Sequence, residues 1–304
     1  MKATAELIAA PALEKVQSPA KSYAALLSEL FKARLTVLVL LTTLAGFYLG
    51  AQGAMDRVLM FHTLVATALL AAGASALNQL IERDHDALMR RTRTRPLPSG
   101  QMTPDTVLLI GGFCAGAGLL YLDLAVNPLT ALLGVATIGS YLFIYTPLKR
   151  VTTLNTAIGA IPGALPPLMG WTAARGQISV EGWALFAILF FWQLPHFLAI
   201  AWIYREDYAQ AGYVMLPVVD PTGERTGRQA FSHTLGLLPI SLAPFLFKMV
   251  GPIYLAGALL LGLLFCWCAF RFARGLTLRN ARILFFASIT YLPLLLGLMV
   301  WDKS

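Results

Sequence analysis

The chain has 304 residues, of which 58% are hydrophobic and 12% are charged, and its mean hydropathy is +0.69. This much apolar surface excludes a soluble globular protein and indicates a polytopic membrane protein. The net charge of +8 does not indicate a nucleic-acid partner, because no stripe of basic and aromatic residues lies outside the apolar segments.

The chain begins with a segment, residues 1–23, that we expect to be a mobile cytoplasmic tail and not a cleaved signal peptide. The rest, 24–304, is expected to form a single transmembrane domain. Its apolar windows have the length that spans a bilayer as a helix, about 17–25 residues. There are nine: 35–52, 58–81, 105–126, 128–147, 154–174, 182–204, 230–250, 252–271 and 281–301. The sequence therefore predicts an all-α fold with nine transmembrane helices, in which windows three and four and windows seven and eight form tight antiparallel hairpins.

Basic residues are distributed unevenly between the two ends of these windows. If the windows alternate in direction, nearly all of the 23 Lys and Arg residues fall on the side of the N-terminus. The exceptions are Arg57, Arg175, Lys248 and Lys303. Because positive charge is retained on the cytoplasmic side, we expect an inner-membrane protein with a cytoplasmic N-terminus, cytoplasmic long loops and a periplasmic C-terminus.

The second apolar window leads directly into the polar stretch 78–100. If the helix continues, Asn78, Glu82 and Asp86 lie at i, i+4 and i+8, drifting only about 80° around the axis over about 12 Å. They form one polar stripe, and Asp84 points away from it. Oxygen ligands of this kind suit Mg²⁺, which takes one or two carboxylates and completes its shell with water and phosphate. The alternative is a basic juxtamembrane loop that orients the protein, although polar groups inside a membrane are costly and usually functional.

A second polar cluster lies in and after the sixth window. His196 and Asp207 are eleven residues apart, so a continuous helix places them on nearly the same face, about 16 Å apart. His196 follows Pro195 and is either a hydrogen-bonded core histidine or a group that faces the substrate. Asp207 is either a functional carboxylate at the membrane interface or an interfacial cap or partner of Arg205.

The fourth window ends in a third cluster that contains Tyr145, Lys149 and Arg150. The two basic residues are either topology determinants or a clamp for a diphosphate, which requires several cationic donors. Together the three clusters place acids and bases at one membrane face above an apolar bundle. A lipid diphosphate needs this arrangement, with its head at the interface and its tail between helices.

These residues resemble the UbiA superfamily of intramembrane prenyltransferases and, within it, the protohaem IX farnesyltransferase family. The resemblance covers roughly residues 30–300. It rests on the Asn78, Glu82 and Asp86 stripe and on the segments 89–92, 95–100, 145–152, 192–197, 207–208 and 211–217.

The resemblance implies a nine-helix UbiA-type bundle that uses Mg²⁺ to transfer farnesyl from farnesyl diphosphate to a vinyl group of haem B. Water addition then gives haem O. By position, the metal and catalytic set is Asn78, Glu82, Asp86 and Asp207, and His196 joins it as a catalytic group. The diphosphate would be bound by Arg91, Arg95, Lys149 and Arg150, and the haem by His196, Tyr204 and Tyr145. The wider superfamily has two acids four residues apart in the second motif, whereas here the neighbouring positions are Ile203 and Ala211, which leaves the number of metal ions open.

Two alternatives remain at this stage. A UbiA-type enzyme that prenylates a quinone precursor or a chlorophyll-like ring uses the same diphosphate site. A multihelix transporter also has polar groups within the membrane, but its sites are expected near the midplane and not at one rim. The expected partners are farnesyl diphosphate, haem B, the lipid bilayer and a downstream haem-modifying enzyme.

Overall fold

The structure, a computed structural model, describes residues 20–304, which form a helical bundle. Nine long helices lie in this range: α2 (Ala33–Gly50), α3 (Arg57–Leu88), α4 (Pro104–Ala125), α5 (Pro128–Leu148), α6 (Asn155–Arg175), α7 (Val180–Ile203), α10 (Glu224–Leu246), α11 (Pro252–Arg274) and α12 (Leu278–Trp301). Three short helices complete the fold: α1 (Tyr23–Leu30), α8 (Arg205–Gln210) and α9 (Leu216–Val219).

The nine long helices coincide with the nine apolar windows, and the all-α prediction is confirmed. Within residues 20–304, seven of the nine are long and apolar enough to cross a membrane. The chain is an integral membrane protein, but nine spans are not confirmed, because α6 and α10 are less apolar than the others. In α6 nearly every residue from Ala164 to Ala173 is buried, so this helix packs against protein on most sides and does not need a lipid-facing apolar surface.

Helices that are close in the chain pack against each other, and the last helix returns to the first long one. Helix α3 packs on α4, α5 on α6, α6 on α7, α7 on α10, and α11 on α12, while α12 also contacts α2. The two predicted hairpins are confirmed, since α4 packs on α5 and α10 on α11. Helix α2 crosses back to pack closely on α6, so α6 lies between the first helices of the chain and the later ones.

Small residues set the close contact between α2 and α6. A Cβ added to Gly46 would collide with the backbone of Pro167, and one added to Gly170 would collide with the backbone carbonyl of Thr43. Glycine at both positions lets two backbones approach closely, as is common between helices in membranes.

One end of the bundle is covered by α1 and two long loops. Gln79 of α3 donates hydrogen bonds to the carbonyls of Glu29 (3.0 Å) and Leu30 (2.8 Å), which fixes the end of α1. Met89 from the first loop packs with Tyr213 and Met215 from the second. Helix α1 was not predicted from the sequence. Residues 1–19 of the expected tail lie outside the described residues. Lys21, which also belongs to the expected tail, donates a hydrogen bond to Glu29 at 2.7 Å.

The close contact predicts opposite effects for two Gly→Ala changes. Gly170→Ala introduces a methyl group against the backbone of α2, and we expect it to destabilise the protein by about 1–3 kcal/mol. Gly112→Ala in α4 meets no atom within 4 Å, and its better helix propensity is expected to stabilise the protein by up to about 1 kcal/mol. Thermal unfolding in detergent measures both. Equal shifts would show that the α2–α6 contact has room for a side chain.

Candidate functional site

The polar stripe lies at the loop-covered end of α3. The helix continues to Leu88, so the predicted continuity is confirmed, and Asn78, Glu82 and Asp86 are all buried, with 1%, 6% and 0% of their surface exposed. Asp84 is exposed and pairs with Arg83. Helical periodicity therefore separates the three stripe residues from Asp84, as expected.

Each stripe residue contacts a different basic side chain. Lys32 Nζ donates to Asn78 Oδ1 at 2.9 Å, Lys149 Nζ to Glu82 Oε1 at 2.6 Å, and Arg95 Nη1 to Asp86 Oδ2 at 2.7 Å. A buried carboxylate requires a cationic partner, since its desolvation is otherwise too costly. The stripe is therefore a charge-compensated cluster built from α3, α5, the first long loop and the α1–α2 junction.

Lys32 is a site residue that the sequence did not identify. It lies between α1 and α2 with a left-handed backbone, φ 47°, which is uncommon for a residue other than glycine and often marks functional sites. Its Nζ also donates to the Tyr141 hydroxyl at 3.3 Å. Burial and, to a lesser degree, the positive charge of Arg95 lower the pKa of Lys32 to about 7. Only the unpredicted α1–α2 turn directs this lysine inward.

Lys149 is positioned by an irregular end of α5. Residues Ser140–Tyr145 form a π-helical stretch, a feature frequent at functional sites. It stacks the rings of Tyr141 and Tyr145, 5.9 Å apart, and Lys149 Nζ lies 4.5 Å from the centre of the Tyr145 ring. Although burial disfavours its charge, Tyr145 and Glu82 raise the pKa of Lys149 above its usual value. The ammonium group is therefore held charged at the rim.

His196 and Asp207 do not lie on one continuous helix, so the prediction that they share a helix face is wrong. Helix α7 ends at Ile203 because Tyr204 leaves the helical conformation, with φ −109° and ψ 25°, and a separate helix α8 carries Asp207. Asp207 Oδ2 instead accepts a hydrogen bond from the backbone N–H of Arg91 at 3.4 Å. The break turns Asp207 towards the first long loop.

Arg91 connects the two loops at the rim. Its guanidinium lies 5.0 Å from the centre of the Tyr204 ring, and it donates to the Tyr208 hydroxyl at 3.2 Å. Although burial opposes its charge, Tyr208 raises the pKa of Arg91. The adjacent Thr92 hydroxyl donates to the carbonyl of Asp86 at 2.8 Å. Arg91, Asp207 and Tyr204 therefore belong to the same end of the bundle as the stripe.

Two predicted residues lie apart from this cluster. Arg150 is exposed, and the side-chain hydrogen bonds and ion pairs described for residues 20–304 include none from it. His196 faces α12, where its Nδ1 lies 2.7 Å from Ser288 Oγ and its ring stacks between Trp192 and Phe285. The structure thus groups Asn78, Glu82, Asp86, Arg91, Arg95, Lys149, Tyr145, Tyr204 and Asp207 at one end and places His196 within the bundle.

The polar cluster fits a divalent cation that brings its own phosphate ligands. In the part of the chain that the structure describes, no three His, Cys, Asp or Glu side chains form a closed metal cage. However, Asp86 Oδ1 is buried and has no hydrogen-bond partner, which leaves one hard oxygen available. Mg²⁺ typically uses one or two carboxylates plus phosphate and water, so Asp86, Glu82 and Asn78 are a suitable donor set.

Comparison with known proteins agrees with this geometry. Residues 39–290 match the UbiA prenyltransferase family. The chain belongs to this family. A protoheme IX farnesyltransferase of Solibacter usitatus is 48% identical over 284 residues, 90% of this chain and 97% of the relative. Another, from Koribacter versatilis, is 45% identical over 91% of this chain and 93% of the relative.

Solved structures share the fold of this family member. A digeranylgeranylglyceryl phosphate synthase superimposes with a TM-score of 0.78 at 15% identity, covering 92% of this chain and 98% of that one. A UbiA homologue from Archaeoglobus fulgidus, bound to GPP and Mg²⁺, gives a TM-score of 0.68 at 17% identity, covering 90% and 99%. These structures show that the chain has the UbiA fold, and the family match together with the farnesyltransferase relatives shows that it is a prenyltransferase.

Proposed function

We propose that the protein transfers the farnesyl group of farnesyl diphosphate to a vinyl group of haem B, with addition of water, to give haem O and diphosphate in a Mg²⁺-dependent reaction. The observation that carries the proposal is the buried rim where Lys32, Lys149 and Arg95 each contact one residue of the α3 stripe. The farnesyltransferase relatives at 48% and 45% identity support the choice of farnesyl and haem as substrates.

The bases of the rim bind the diphosphate. Lys32, Lys149, Arg95 and Arg91 supply several charged donors around one small volume, and arginine matches phosphate oxygens in a bidentate manner. Without substrate these cations neutralise the stripe. Glu82 and Asp86 would hold the metal, and the bases would bind the phosphate oxygens, so that no buried charge is left unpaired when both are bound. Asp207, from the second loop, would join the residues that hold the metal. Arg150 would add a further base for the diphosphate from the exposed side.

Catalysis follows from charge stabilisation at the leaving group. Mg²⁺ supplies Lewis-acid stabilisation of the diphosphate when it is bound. The C–O bond of farnesyl diphosphate breaks, and its electron pair leaves with the diphosphate, which the lysines and arginines hold. The electron-rich faces of Tyr141 and Tyr145, which attract the ammonium groups of Lys32 and Lys149 respectively, stabilise the allylic cation.

The acceptor then completes the reaction. The terminal vinyl carbon of haem B forms a bond to C1 of the farnesyl group, which leaves positive charge on the carbon next to the porphyrin. A water molecule adds to this carbon and loses a proton, and the product carries a hydroxyalkyl farnesyl group. The loop-covered rim restricts water until this step, because Met89 packs against Tyr213 and Met215 across it.

We place the haem along α7, between the rim and His196. The Nδ1 atom of His196 is engaged by Ser288, and among the described residues no hydrogen bond involves its Nε2, which is left to contact the porphyrin. Tyr204 and Tyr145 would border the haem at the rim. The product leaves through the bilayer to a downstream haem-modifying enzyme.

We assign the protein to the cell inner membrane, with the N-terminus and the rim in the cytoplasm and the C-terminus in the periplasm. The uneven distribution of Lys and Arg supports this orientation.

The stripe predicts a clear contrast between neighbouring acids. Glu82→Gln and Asp86→Asn keep size but remove a hard anionic ligand, so haem O formation from haem B, farnesyl diphosphate and Mg²⁺ is expected to fall about 10²–10³-fold. Asp84→Asn is the matched control, because Asp84 lies on the same helix but is exposed, and it is expected to keep near-normal turnover. Chromatographic product analysis with purified protein measures all three. Normal turnover in both stripe variants would mean that the stripe is only a charged helix end.

The haem assignment predicts different effects for two hydrogen-bonded partners. His196→Ala removes the ring, so haem affinity measured by absorption titration is expected to fall about tenfold, the effect of one lost contact. Ser288→Ala removes only the hydrogen bond to Nδ1 and leaves Nε2 in place, so haem affinity is expected to change little. If the two variants lower the free energy of unfolding by the same amount and neither changes haem affinity, His196 is a structural histidine and other groups hold the haem.

The orientation predicts the behaviour of two reporter fusions. An alkaline phosphatase reporter after Ser304 is expected to be active, because the odd number of long helices places it in the periplasm. The same reporter inserted between Arg91 and Gly100 is expected to be inactive and a fluorescent one to be bright, as in the cytoplasm. Both sites reporting the same side would refute nine membrane spans.

A further inference from the structure

A polar cavity lies at the opposite end of the bundle from the rim. Its volume is about 530 Å³. It is bordered by the C-terminal ends of α2, α6 and α12, by the start of α7 and by the α10–α11 connection, whereas the rim is formed by the other ends of α2 and α6. The cavity is therefore separated from the proposed diphosphate site by the length of these helices.

Three cations border this cavity: Arg175, Lys248 and Lys303. The alternation of the helices assigns only four Lys and Arg residues to this side of the membrane, and the fourth, Arg57, is not among the lining residues. Retaining bases on this side opposes the usual charge bias. Their convergence on one cavity indicates a local role for the charge that topology does not explain.

The cations lack anionic partners. Among residues 20–304, no ion pair within 4 Å includes Arg175, Lys248 or Lys303, although Glu181 also borders the cavity. Arg175 stacks on Trp171 at 5.0 Å. Arg175 and Lys303 both line the cavity, and burial, together with the charge of Arg175, lowers the pKa of Lys303. Like charges held together in this way favour an anion between them.

Two buried donors at the same place have no acceptor. Trp171 is 2% exposed, and its Nε1–H makes no hydrogen bond within the described chain, nor does the Nε–H of Arg175. Unsatisfied buried donors are costly and call for a specific explanation. Oxygens of a bound anion would accept from both.

Lys248 adds a backbone observation. It adopts a left-handed conformation, φ 57°, and within residues 20–304 the only other residue besides glycine with a positive φ is Lys32 of the rim. Glycine would occupy this position without strain. The conformation ends α10 in a turn in which the Met249 N–H donates to the carbonyl of Pro244 at 2.9 Å, and this turn places Lys248 on the lining of the cavity.

The residues around the cavity indicate that its anionic ligand is a lipid. Exposed aromatic residues mark this end of the bundle, namely Trp183, Phe247 and Trp301, and the neighbouring Leu246 is 70% exposed. Aromatic residues concentrate at the depth of the lipid headgroups. A phosphate diester at that depth meets the three cations, while its acyl chains lie along the apolar surface of α10 at Leu246.

We propose that this cavity binds the phosphate headgroup of an anionic phospholipid on the membrane face opposite the Glu82 cluster. Guanidinium and ammonium donors form strong charge-assisted hydrogen bonds to phosphate oxygens, and basic pockets between transmembrane helices are known to take such headgroups. The site is independent of the transferase reaction, so its test does not depend on the proposed function.

The test compares lipid retention in charge variants. Purified protein is exchanged into nanodiscs that contain phosphatidylglycerol and phosphatidylcholine, and bound lipid is measured by native mass spectrometry after release. Wild-type protein is expected to retain phosphatidylglycerol selectively. Arg175→Gln combined with Lys248→Gln is expected to reduce this retention about tenfold, the effect of losing charged hydrogen bonds. Lys303 is left unchanged because it also donates to the carbonyls of Tyr48 and Ala51.

Arg57→Gln is the matched control, since it removes a charge on the same side but outside the cavity, and it is expected to retain phosphatidylglycerol like the wild type. Melting in phosphatidylcholine nanodiscs checks that the variants fold; if the double variant does not fold, Lys248→Gln alone replaces it, because that side chain is exposed. Retention unchanged in the cavity variants, or lost equally in Arg57→Gln, would overturn the proposal.

A parallel titration with inorganic phosphate identifies the source of the anion. Thermal stabilisation by free phosphate that the cavity variant loses, together with equal retention of both lipids by the wild type, would assign the cavity to a soluble anion and refute the lipid.

Discussion

The structure depends on the burial of two carboxylates at the end of a membrane helix. Glu82 and Asp86 have almost no exposed surface, and leaving either without its partner would cost about 3–5 kcal/mol. Glu82 takes its cation from a distant part of the chain, Lys149 after α5, and Asp86 takes its cation from Arg95 in the loop that follows α3. These ion pairs therefore hold Lys149 and Arg95 beside the stripe, where the proposed function needs cations.

Close helix packing keeps these groups in position. Gly46 and Gly170 bring α2 and α6 into backbone contact, and α6 in turn packs on α5 and α7. A Cβ at Gly159 of α6 would collide with the Tyr145 ring, so even the tyrosine beside Lys149 depends on a small residue. Since membrane helices gain little from the hydrophobic effect among themselves, such contacts and the polar rim together set the geometry of the bundle.

The two ends of the bundle use cations in different ways. At the rim, Lys149 and Arg95 pair with Glu82 and Asp86, so their charge is compensated within the chain. At the opposite cavity, Arg175 and Lys303 make no ion pair within residues 20–304, and the buried donors of Trp171 and Arg175 have no acceptor there. Each end includes a lysine with a left-handed backbone, Lys32 or Lys248. Strain of this kind persists only where the surrounding structure fixes it.

The sequence by itself determined the fold class, the positions of the nine long helices and the stripe of Asn78, Glu82 and Asp86, because apolar length and helical periodicity are local properties of the chain. The family followed from motifs of the same local kind. Only the tertiary structure decided that Lys32 turns inward and that the break at Tyr204 separates Asp207 from the face of His196. These features depend on turns, and on desolvated charges finding partners more than forty residues away, which no local pattern encodes.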